Sequence, residues 1–561
     1  MDINIVIGGE AGQGLKTTGI ILGKTLFKAG FHIFSSQDYM SRVRGGHNFI
    51  KIRISDREVN GPADRIDILV ALNQETVANH HSNLKDKGVV VSETDKEDLK
   101  NKLIKKPAEE IAREINIKAL NIIFVGAVLK LLGLEKEICQ EVVADYFDKE
   151  SIVKDNIKLL AKGYEFTETL KDVETNLSAR EEIYLDGNTA IGLGALAGGV
   201  KFYAAYPMSP STSIMNYIAD RQQETGVVVE QAEDEIAAIN MALGASYGGL
   251  RSMTGTSGGG FSLMAEAFGL AGITETPLVI ALVQRPGPAT GLPTRTEQGD
   301  LQFVIHASQG EFPLMVIALR DQEDAFYQTV RALNLADKYQ IPVVILSDQF
   351  LADSAKNVKE FSYDQIEVNR HLAELKKDDE YKRYKITTDG ISPRIYPGQV
   401  EGQTVLVDSD EHDEEGHIIE DAETRKAMVD KRSRKLEKLI EEDLQQPEYV
   451  GQEDVDYLIL AYGSTCGPVQ EAVELLTESG IKAGGLMFYD VWPLPQKELE
   501  KWAEQKPKLI TVEINSTAQL AGLIQGETMI KINDSILKYD GRPFSGQEIY
   551  HRLKDEVIDN G

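Results

Sequence analysis

A chain of 561 residues with a formal net charge of −29 and no segregated basic block repels nucleic-acid phosphates and anionic membranes, so neither is an expected partner. Its two cysteines, Cys139 and Cys466, are too far apart for a CxxC metal site or a disulfide framework, so any iron–sulfur cluster must belong to another chain. Apolar runs such as "PLVIALV" at 277–283 fall far short of the ~20 residues of a membrane-spanning helix, and no basic-then-apolar leader opens the sequence, so a cytoplasmic location is the expectation.

At roughly 100–200 residues per domain, three or four domains are predicted, all of α/β type. The first, over 1–182, opens with "INIVIGGEAGQGLKTTGIILGKTL", a strand over 3–8, a glycine turn and a helix over 14–29. A phosphate-binding P-loop requires GxxxxGK[ST], but Leu15 separates Gly14 from Lys16. Gly9, Gly12 and Gly14 read GxxGxG rather than the dinucleotide GxGxxG. What survives is a glycine turn from strand into helix, serving either an anion or tight packing. A loop and β-rich stretch, "FHIFSSQDYMSRVRGGHNFIKIRIS", follows. Alternating signals ("IDILVALN", "KGVVVSE", "ALNIIFVGAVLKLLGL") complete the domain, and a charged helical stretch over 160–182 leads out of it.

A second α/β domain is expected over 183–353. After the strand "KFYAAY" comes "YPMSPSTSIMNYIAD", where Pro210 holds Ser209 extended at a strand's C-terminal end, the end that faces the ligand crevice in an open α/β sheet. A rigid loop with Ser211 or Ser213 as helix cap is the competing reading. In "VVVEQAEDEIAAINMALGASYGG", Ala232, Ile236, Ile239 and Leu243 recur at helical spacing as a buried face. Glu235 stands beside it at the helix start, as a functional carboxylate or a favourable first-turn charge. The turn in "TGTSGGGFSLMAEAFGLAG" permits close approach of a ligand or of backbone. The stiff loop "QRPGPATGLPTRTEQGDL" presents Arg285, suited to bidentate carboxylate recognition, with Thr294 as a hydroxyl donor. An arginine in a solvated salt bridge is the alternative.

Residues 354–450 are charge-rich and read as an excursion between domains, with Met428, Leu436 and Leu439 a modest helical stripe. Within it "DSDEHDEEGH" offers His412 and His417 among carboxylates, but Asp413 stands where a calcium loop needs its turn glycine. A solvated acidic loop without metal is expected. A third α/β domain over 451–561 begins at "VDYLILAYGS" and continues through "GPVQEAVELLTESG", "GLMFYD" and "KLITVEIN".

Taken in order, "GGEAGQG", "SRVRGGHNFIKIRIS", "AAYPMSPST", "EDEIAAINMALGAS", "TGTSGGGFSLMAEAFGLAG", "QRPGPATGLPT", "DEHDEEGHIIEDAETRKAMVDKR" and "KYDGRPFSGQEI" resemble the 2-oxoacid:ferredoxin oxidoreductases, specifically an α subunit with the γ domain fused to its N-terminus. The resemblance covers nearly the whole chain. It implies a γ domain, a pyrimidine-binding domain of a thiamine diphosphate enzyme and a transketolase C-terminal-like domain. Thiamine diphosphate would be shared with a β subunit that supplies the Mg2+–diphosphate site and a [4Fe–4S] cluster. The expected activity is CoA-dependent oxidative decarboxylation of a 2-oxoacid with electrons passed to ferredoxin, and the expected assembly is a dimer of αβ heterodimers.

By resemblance Glu235 is the catalytic carboxylate that hydrogen-bonds N1′ of the aminopyrimidine, and Tyr206, Pro207, Ser257 and Gly258 are cofactor contacts. Ser209, Arg285 and Thr294 correspond to residues that bind the substrate carboxylate, and Arg44 to a basic position near the active site or the CoA path. Ser209 replaces the family's Thr and Gly259 the Pro of TSGPG, which implies a shifted substrate range and a more mobile loop. The fused layout resembles the 2-oxoglutarate subgroup, with His47 and Arg44 as candidates for the distal carboxylate. Pyruvate, branched-chain or aryl 2-oxoacids are alternative substrates, and a noncatalytic nucleotide-binding regulator is the alternative of another class.

Overall fold

The computed structural model describes residues 1–41, 45–93, 100–171, 173–175 and 181–559, so Arg44 lies outside the described residues. The chain forms two compact units, the first comprising Met1–Leu185, Asp353–Glu360 and Ser545–Glu548. No helix among the described residues is long and apolar enough to cross a membrane.

The first unit is built on an eight-stranded mixed sheet. Strand Asp2–Ala11 lies in its middle, antiparallel to Gly45–Ser55 and parallel to Ile66–Ala71. Ile3, Ile5 and Ile7 of that strand enter one apolar core with Ile52, Ile54 and the wholly apolar face of helix Asn121–Leu131, whereas Val6 joins Leu69 and Val90 on the opposite face. Alternation along the strand explains this division, because successive side chains point to opposite faces of a sheet. Strand Ala355–Lys359 pairs antiparallel with His32–Asp38, so the start of the expected 354–450 excursion is part of this unit's sheet.

The second unit carries two sheets. In the seven-stranded sheet, Phe202–Ala205, Val228–Gln231, Ser252–Thr256, Leu278–Gln284, Met315–Ala318 and Pro342–Asp348 run parallel, the pattern of helices crossing between buried strands. Its outer strand, Asp490–Trp492, pairs antiparallel with Met315–Ala318 and comes from the C-terminal third of the chain. The five-stranded sheet is centred on Tyr457–Tyr462. Leu278, Ile280, Leu458, Leu460 and Leu520 belong to one continuous apolar cluster, so the stretches read from sequence as separate domains over 183–353 and 451–561 share a core.

The charged stretch is packed through ion pairs as well as apolar contacts. Helix Ala422–Glu442 buries Met428 and Leu439 but also Lys431, Arg432 and Lys435. Lys431 Nζ lies 2.6 Å from Glu275 Oε1, Lys435 pairs with Glu275 Oε2, and all three side chains are at most 1% exposed. Arg383 Nη2 donates to the Glu275 carbonyl at 2.7 Å. Desolvation pushes the lysines down, to about 8 for Lys431 and about 7 for Lys435, while the facing lysines hold the Glu275 carboxyl far below the ordinary carboxylate range against its own burial. Periodicity could not find this face, because a buried lysine reads as a surface lysine until its partner is placed.

Candidate active site

Glu235 is the first residue of helix Glu235–Tyr247 and is 4% exposed. Glu235 is the acidic residue of the helix's first turn, as the first-turn alternative also expects, while the capping is done by its neighbour: Asp234 is the N-cap and its side chain accepts from Ala237 N at 2.7 Å. Glu235 is thus left with a buried Oε1 that has no hydrogen-bond partner among the described residues. Of the four residues expected on the buried face, Ala232, Ile239 and Leu243 are buried, but Ile236 is 50% exposed. The apolar pattern misplaces that residue because the helix is apolar nearly all round.

The glycine turn after strand Ser252–Thr256 packs on this carboxylate. A Cβ on Gly260 would collide with Thr256 Oγ1 and stand 2.7 Å from Glu235 Oε1. Gly258 and Gly260 open helix Gly258–Ile273, whose N-cap, Ser257, makes no side-chain cap and has a buried Oγ without a partner among the described residues. The carboxyl of Asp300 lies against Gly258, where a Cβ would come within 2.7 Å of Asp300 Cγ and Oδ1; the Asp300 Oδ2 is also buried and unpartnered among the described residues. Three orphaned polar atoms around one glycine turn are what a ligand-binding surface looks like before its ligand arrives, since buried polar groups are otherwise paired.

Arg285 directly follows strand Leu278–Gln284, and its Nη1 donates to the Ser209 carbonyl at 2.6 Å. The two residues are therefore together, although the contact uses the Ser209 backbone, and the Ser209 side chain remains exposed. Burial lowers the Arg285 pKa and the nearby Asp300 opposes that shift. Thr294 is buried in the loop that follows, with Arg295 Nη1 donating to its carbonyl at 3.2 Å. Tyr206 is 39% exposed and Pro207 half-buried at the end of strand Phe202–Ala205. The capping alternative is met in part: Ser211 stands at the N-cap of helix Thr212–Ala219, but its hydroxyl bonds back to the Met208 carbonyl at 2.8 Å rather than capping, and Ser213 Oγ accepts from Asn188 Nδ2 at 2.7 Å.

Sequence reasoning missed Gly260, Asp300 and Gln298. Gln298 is fully buried, donates through Nε2 to the Tyr462 carbonyl at 2.9 Å and accepts from Ile514 N at 3.1 Å, tying the Pro/Gly loop to the second sheet. The only signal for Asp300 was an acid inside a loop of prolines and glycines, which says nothing of burial.

In the first unit Gly8 and Gly9 of "GGEAGQG" make room for side chains, whereas a Cβ on Gly12 would meet nothing within 4 Å. A Cβ on Gly8 would stand 2.5 Å from Thr76 Cγ2 and 3.1 Å from His47 Cε1. The Gln13 side chain folds back to accept from Glu10 N at 2.8 Å, and Lys16 is exposed. His47 Nε2 is 2.8 Å from His80 Nε2, and burial pushes both imidazoles down, His80 to about 4. His47 Nδ1 is buried without a partner among the described residues.

The acidic loop needs one correction. Asp410, Glu415 and His417 are exposed as expected, but His412 is fully buried, with its ring centroid 3.8 Å from that of Tyr384. Asp413, Glu415 and His417 cluster closely enough to suggest a cation, yet Asp413 Oδ1 already accepts from the backbone N–H groups of Glu415, Gly416 and His417 at 2.9 Å each.

Comparison with known proteins fits this geometry. The chain is 36% identical over 627 aligned positions, covering 100% of itself and 98% of the relative, to the 2-oxoacid:ferredoxin oxidoreductase subunit alpha of Sulfolobus sp. This chain belongs to the 2-oxoacid:ferredoxin oxidoreductase α subunits. Three family descriptions divide the α subunit between them: "Pyruvate ferredoxin/flavodoxin oxidoreductase" over 4–166, "Pyruvate flavodoxin/ferredoxin oxidoreductase, thiamine diP-bdg" over 193–431, and "Pyruvate:ferredoxin oxidoreductase core domain II" over 455–549. It is similar over 64% of its length to 2-oxoglutarate synthase subunit KorA of Methanothermobacter marburgensis, at 33% identity over 97% of that protein. Among solved structures it resembles the 2-oxoglutarate:ferredoxin oxidoreductase of Magnetococcus marinus with 2-oxoglutarate, coenzyme A and succinyl-CoA bound, at TM-score 0.93 and 31% identity over 99% of each chain. The α subunit is thus part of a thiamine diphosphate-dependent oxidoreductase, and the residues around Gly258 and Gly260 fit that cofactor. A buried carboxylate oxygen without a partner, against a glycine that admits no Cβ, suits a flat ring nitrogen that carries a proton.

Proposed function

We propose that this chain is the α subunit of an enzyme converting 2-oxoglutarate and CoA to succinyl-CoA and CO2, with the released electron pair leaving through a β-subunit [4Fe–4S] cluster to ferredoxin. The observation that carries the reading is the orphaned Glu235 Oε1 held against Gly260. Thiamine diphosphate, when bound between this chain and the β subunit with its Mg2+, supplies the carbon nucleophile for decarboxylation of a 2-oxoacid. Glu235 accepts a hydrogen bond from the pyrimidine N1′ and fixes a proton at that atom. Tyr206, Pro207, Ser257 and Gly258 bound the pyrimidine. The Arg285 guanidinium, with the hydroxyls of Ser209 and Thr294, receives the carboxylate beside the reacting carbonyl, where bidentate geometry fixes orientation. By resemblance, Arg44 is assigned to the basic positions near the active site or the CoA path.

Neither cysteine of the chain suits a cluster: Cys139 and Cys466 are buried in different units, and burial raises both thiols, Cys139 to about 11. This supports placing the cluster in a β subunit, and an αβ heterodimer pairing into a larger cytoplasmic assembly is the family-like arrangement. The preference for 2-oxoglutarate over pyruvate, branched-chain or aryl 2-oxoacids is supported by the ligands of the Magnetococcus marinus enzyme.

The test is oxygen-free isolation of the complex, with analysis of chains, thiamine diphosphate and iron, followed by CoA-dependent ferredoxin reduction with a panel of 2-oxoacids. A second chain arriving with both cofactors, and highest kcat/KM for 2-oxoglutarate, is expected. Isolation of this chain alone without thiamine overturns the catalytic reading, and a preference for pyruvate overturns the substrate.

A further inference from the structure

Asp300 is tied to the carboxylate-binding loop by more than proximity. Its backbone N–H donates to Gln284 Oε1 at 3.0 Å, and Gln284 immediately precedes Arg285 on the same strand end. The Asp300 carboxyl lies flat on Gly258, a contact that any side chain at residue 258 would prevent. Its Oδ2 is buried with no hydrogen-bond partner among the described residues, so nothing there stabilises the ionised form by hydrogen bonding.

The charged and titratable groups around it come from three directions. Arg285, after strand Leu278–Gln284, favours the carboxylate; Glu297, on Asp300's own loop, disfavours it; Tyr462, on strand Tyr457–Tyr462, stays a neutral phenol. The first turn of helix Gly258–Ile273 brings no acidic side chain.

We propose that Asp300 is a proton-accepting positioning residue of the substrate site: its carboxyl takes up a proton from solvent when a 2-oxoacid carboxylate settles on Arg285, and releases it when that carboxylate leaves. The inference rests on the reading of Arg285 as the carboxylate binder. Burial already outweighs Arg285 and lifts Asp300 to about 6. A bound anion on Arg285 adds like charge and offsets the guanidinium's favourable field, and both effects raise the carboxyl further.

Linkage fixes the sign. Substrate binds best where Asp300 is already protonated, and affinity falls as pH rises above the free-enzyme midpoint, approaching about tenfold per pH unit until the bound-state midpoint is reached. The test measures the KM of the αβ holoenzyme for 2-oxoglutarate from about pH 5.5 to 8.5, a range in which substrate carboxylates stay ionised. Proton uptake on binding is read by calorimetry in buffers of different ionisation enthalpy.

The expected result is a KM that is flat at the acid end and climbs above it, with net proton uptake at neutral pH. In Asp300→Asn the climb and the uptake vanish, KM at alkaline pH falls to the wild-type acid value, and KM for CoA is unchanged. A wild-type enzyme without proton uptake overturns the proposal, and needs no variant to fold. So does Asp300→Asn with an unchanged or raised KM at alkaline pH, which is what a purely structural role would give. Arg285→Gln separates the layers: a raised KM there with a pH-independent wild type sinks the Asp300 inference alone, whereas an unchanged KM in Arg285→Gln sinks the carboxylate reading beneath it.

Discussion

Gly260 and Glu235 meet across the turn where strand Ser252–Thr256 passes into its helix, and the absent side chain of Gly260 is what lets the Glu235 carboxyl occupy its buried position, 2.7 Å from where a Cβ would stand. The relationship makes the two residues one device: a carboxylate and the space that holds it.

Gly260→Ala is accordingly predicted to displace Glu235 while the fold survives. Thiamine diphosphate retention should fall at least tenfold, read as cofactor content after gel filtration, whereas Gly259→Ala, whose new Cβ meets nothing closer than the Ala289 carbonyl at 3.5 Å, should retain cofactor and gain about 0.5–1 kcal/mol in melting experiments. Equal cofactor retention in the two variants would contradict the role given to Gly260.

Glu235→Gln keeps the shape and loses the charge. Removal of a positioned proton partner costs roughly 10²–10⁴ in rate, so kcat for ferredoxin reduction should fall by at least about a hundredfold with KM for the 2-oxoacid within about threefold. A kcat near that of the wild type would remove Glu235 from the chemistry.

The Glu275–Lys431–Lys435 cluster predicts a stability effect with a definite pH direction. Both lysines titrate lower in the folded chain, at about 8 and about 7, than their ordinary 10.5, so between those values the unfolded chain binds more protons and folding gains as pH rises. Glu275 works at the other end: its folded value is depressed, and its contribution is lost as pH falls below the ordinary carboxylate value of 4.5. Lys435→Met should flatten the rise of Tm between about pH 7 and 10, and Glu275→Gln should destabilise by about 3–5 kcal/mol because it strands buried ammonium groups. A Tm profile in Lys435→Met that parallels the wild type would refute the assignment.

Gly8→Ala tests the answer to the "GGEAGQG" motif. With a Cβ 2.5 Å from Thr76 Cγ2, overpacking should cost about 1–3 kcal/mol of stability, and nucleoside triphosphates should neither bind to nor stabilise wild type or variant in a thermal shift assay. Saturable ATP binding abolished by Gly8→Ala would restore the nucleotide reading.

Much of the fold was legible because strands and helices of this chain alternate with clear periodicity and because buried parallel strands such as "PLVIALV" read as continuous apolar runs. Ordered motifs carried the family. The chain order of Ser209, Glu235, Ser257 and Arg285 was legible too, but not which of them meet: Arg285 reaches the Ser209 carbonyl across 76 residues. Ile236 was misread because a helix apolar on nearly every face gives a hydrophobic pattern no phase. His412, Lys431 and Lys435 were misread for the opposite reason, since composition treats polar residues as solvated whatever faces them.

The sequence by itself determined the α/β class, the strongly acidic net charge, the shortage of cysteines for a cluster and the order of the motifs, because these depend on local spacing and on counting. Only the tertiary structure decided that Asp300 lies on Gly258, that Glu235 Oε1 is left without a partner among the described residues, and that one buried glutamate pairs with two buried lysines. Burial and pairing are properties of what faces a residue, and what faces it is set by segments remote in the chain whose register no local pattern encodes.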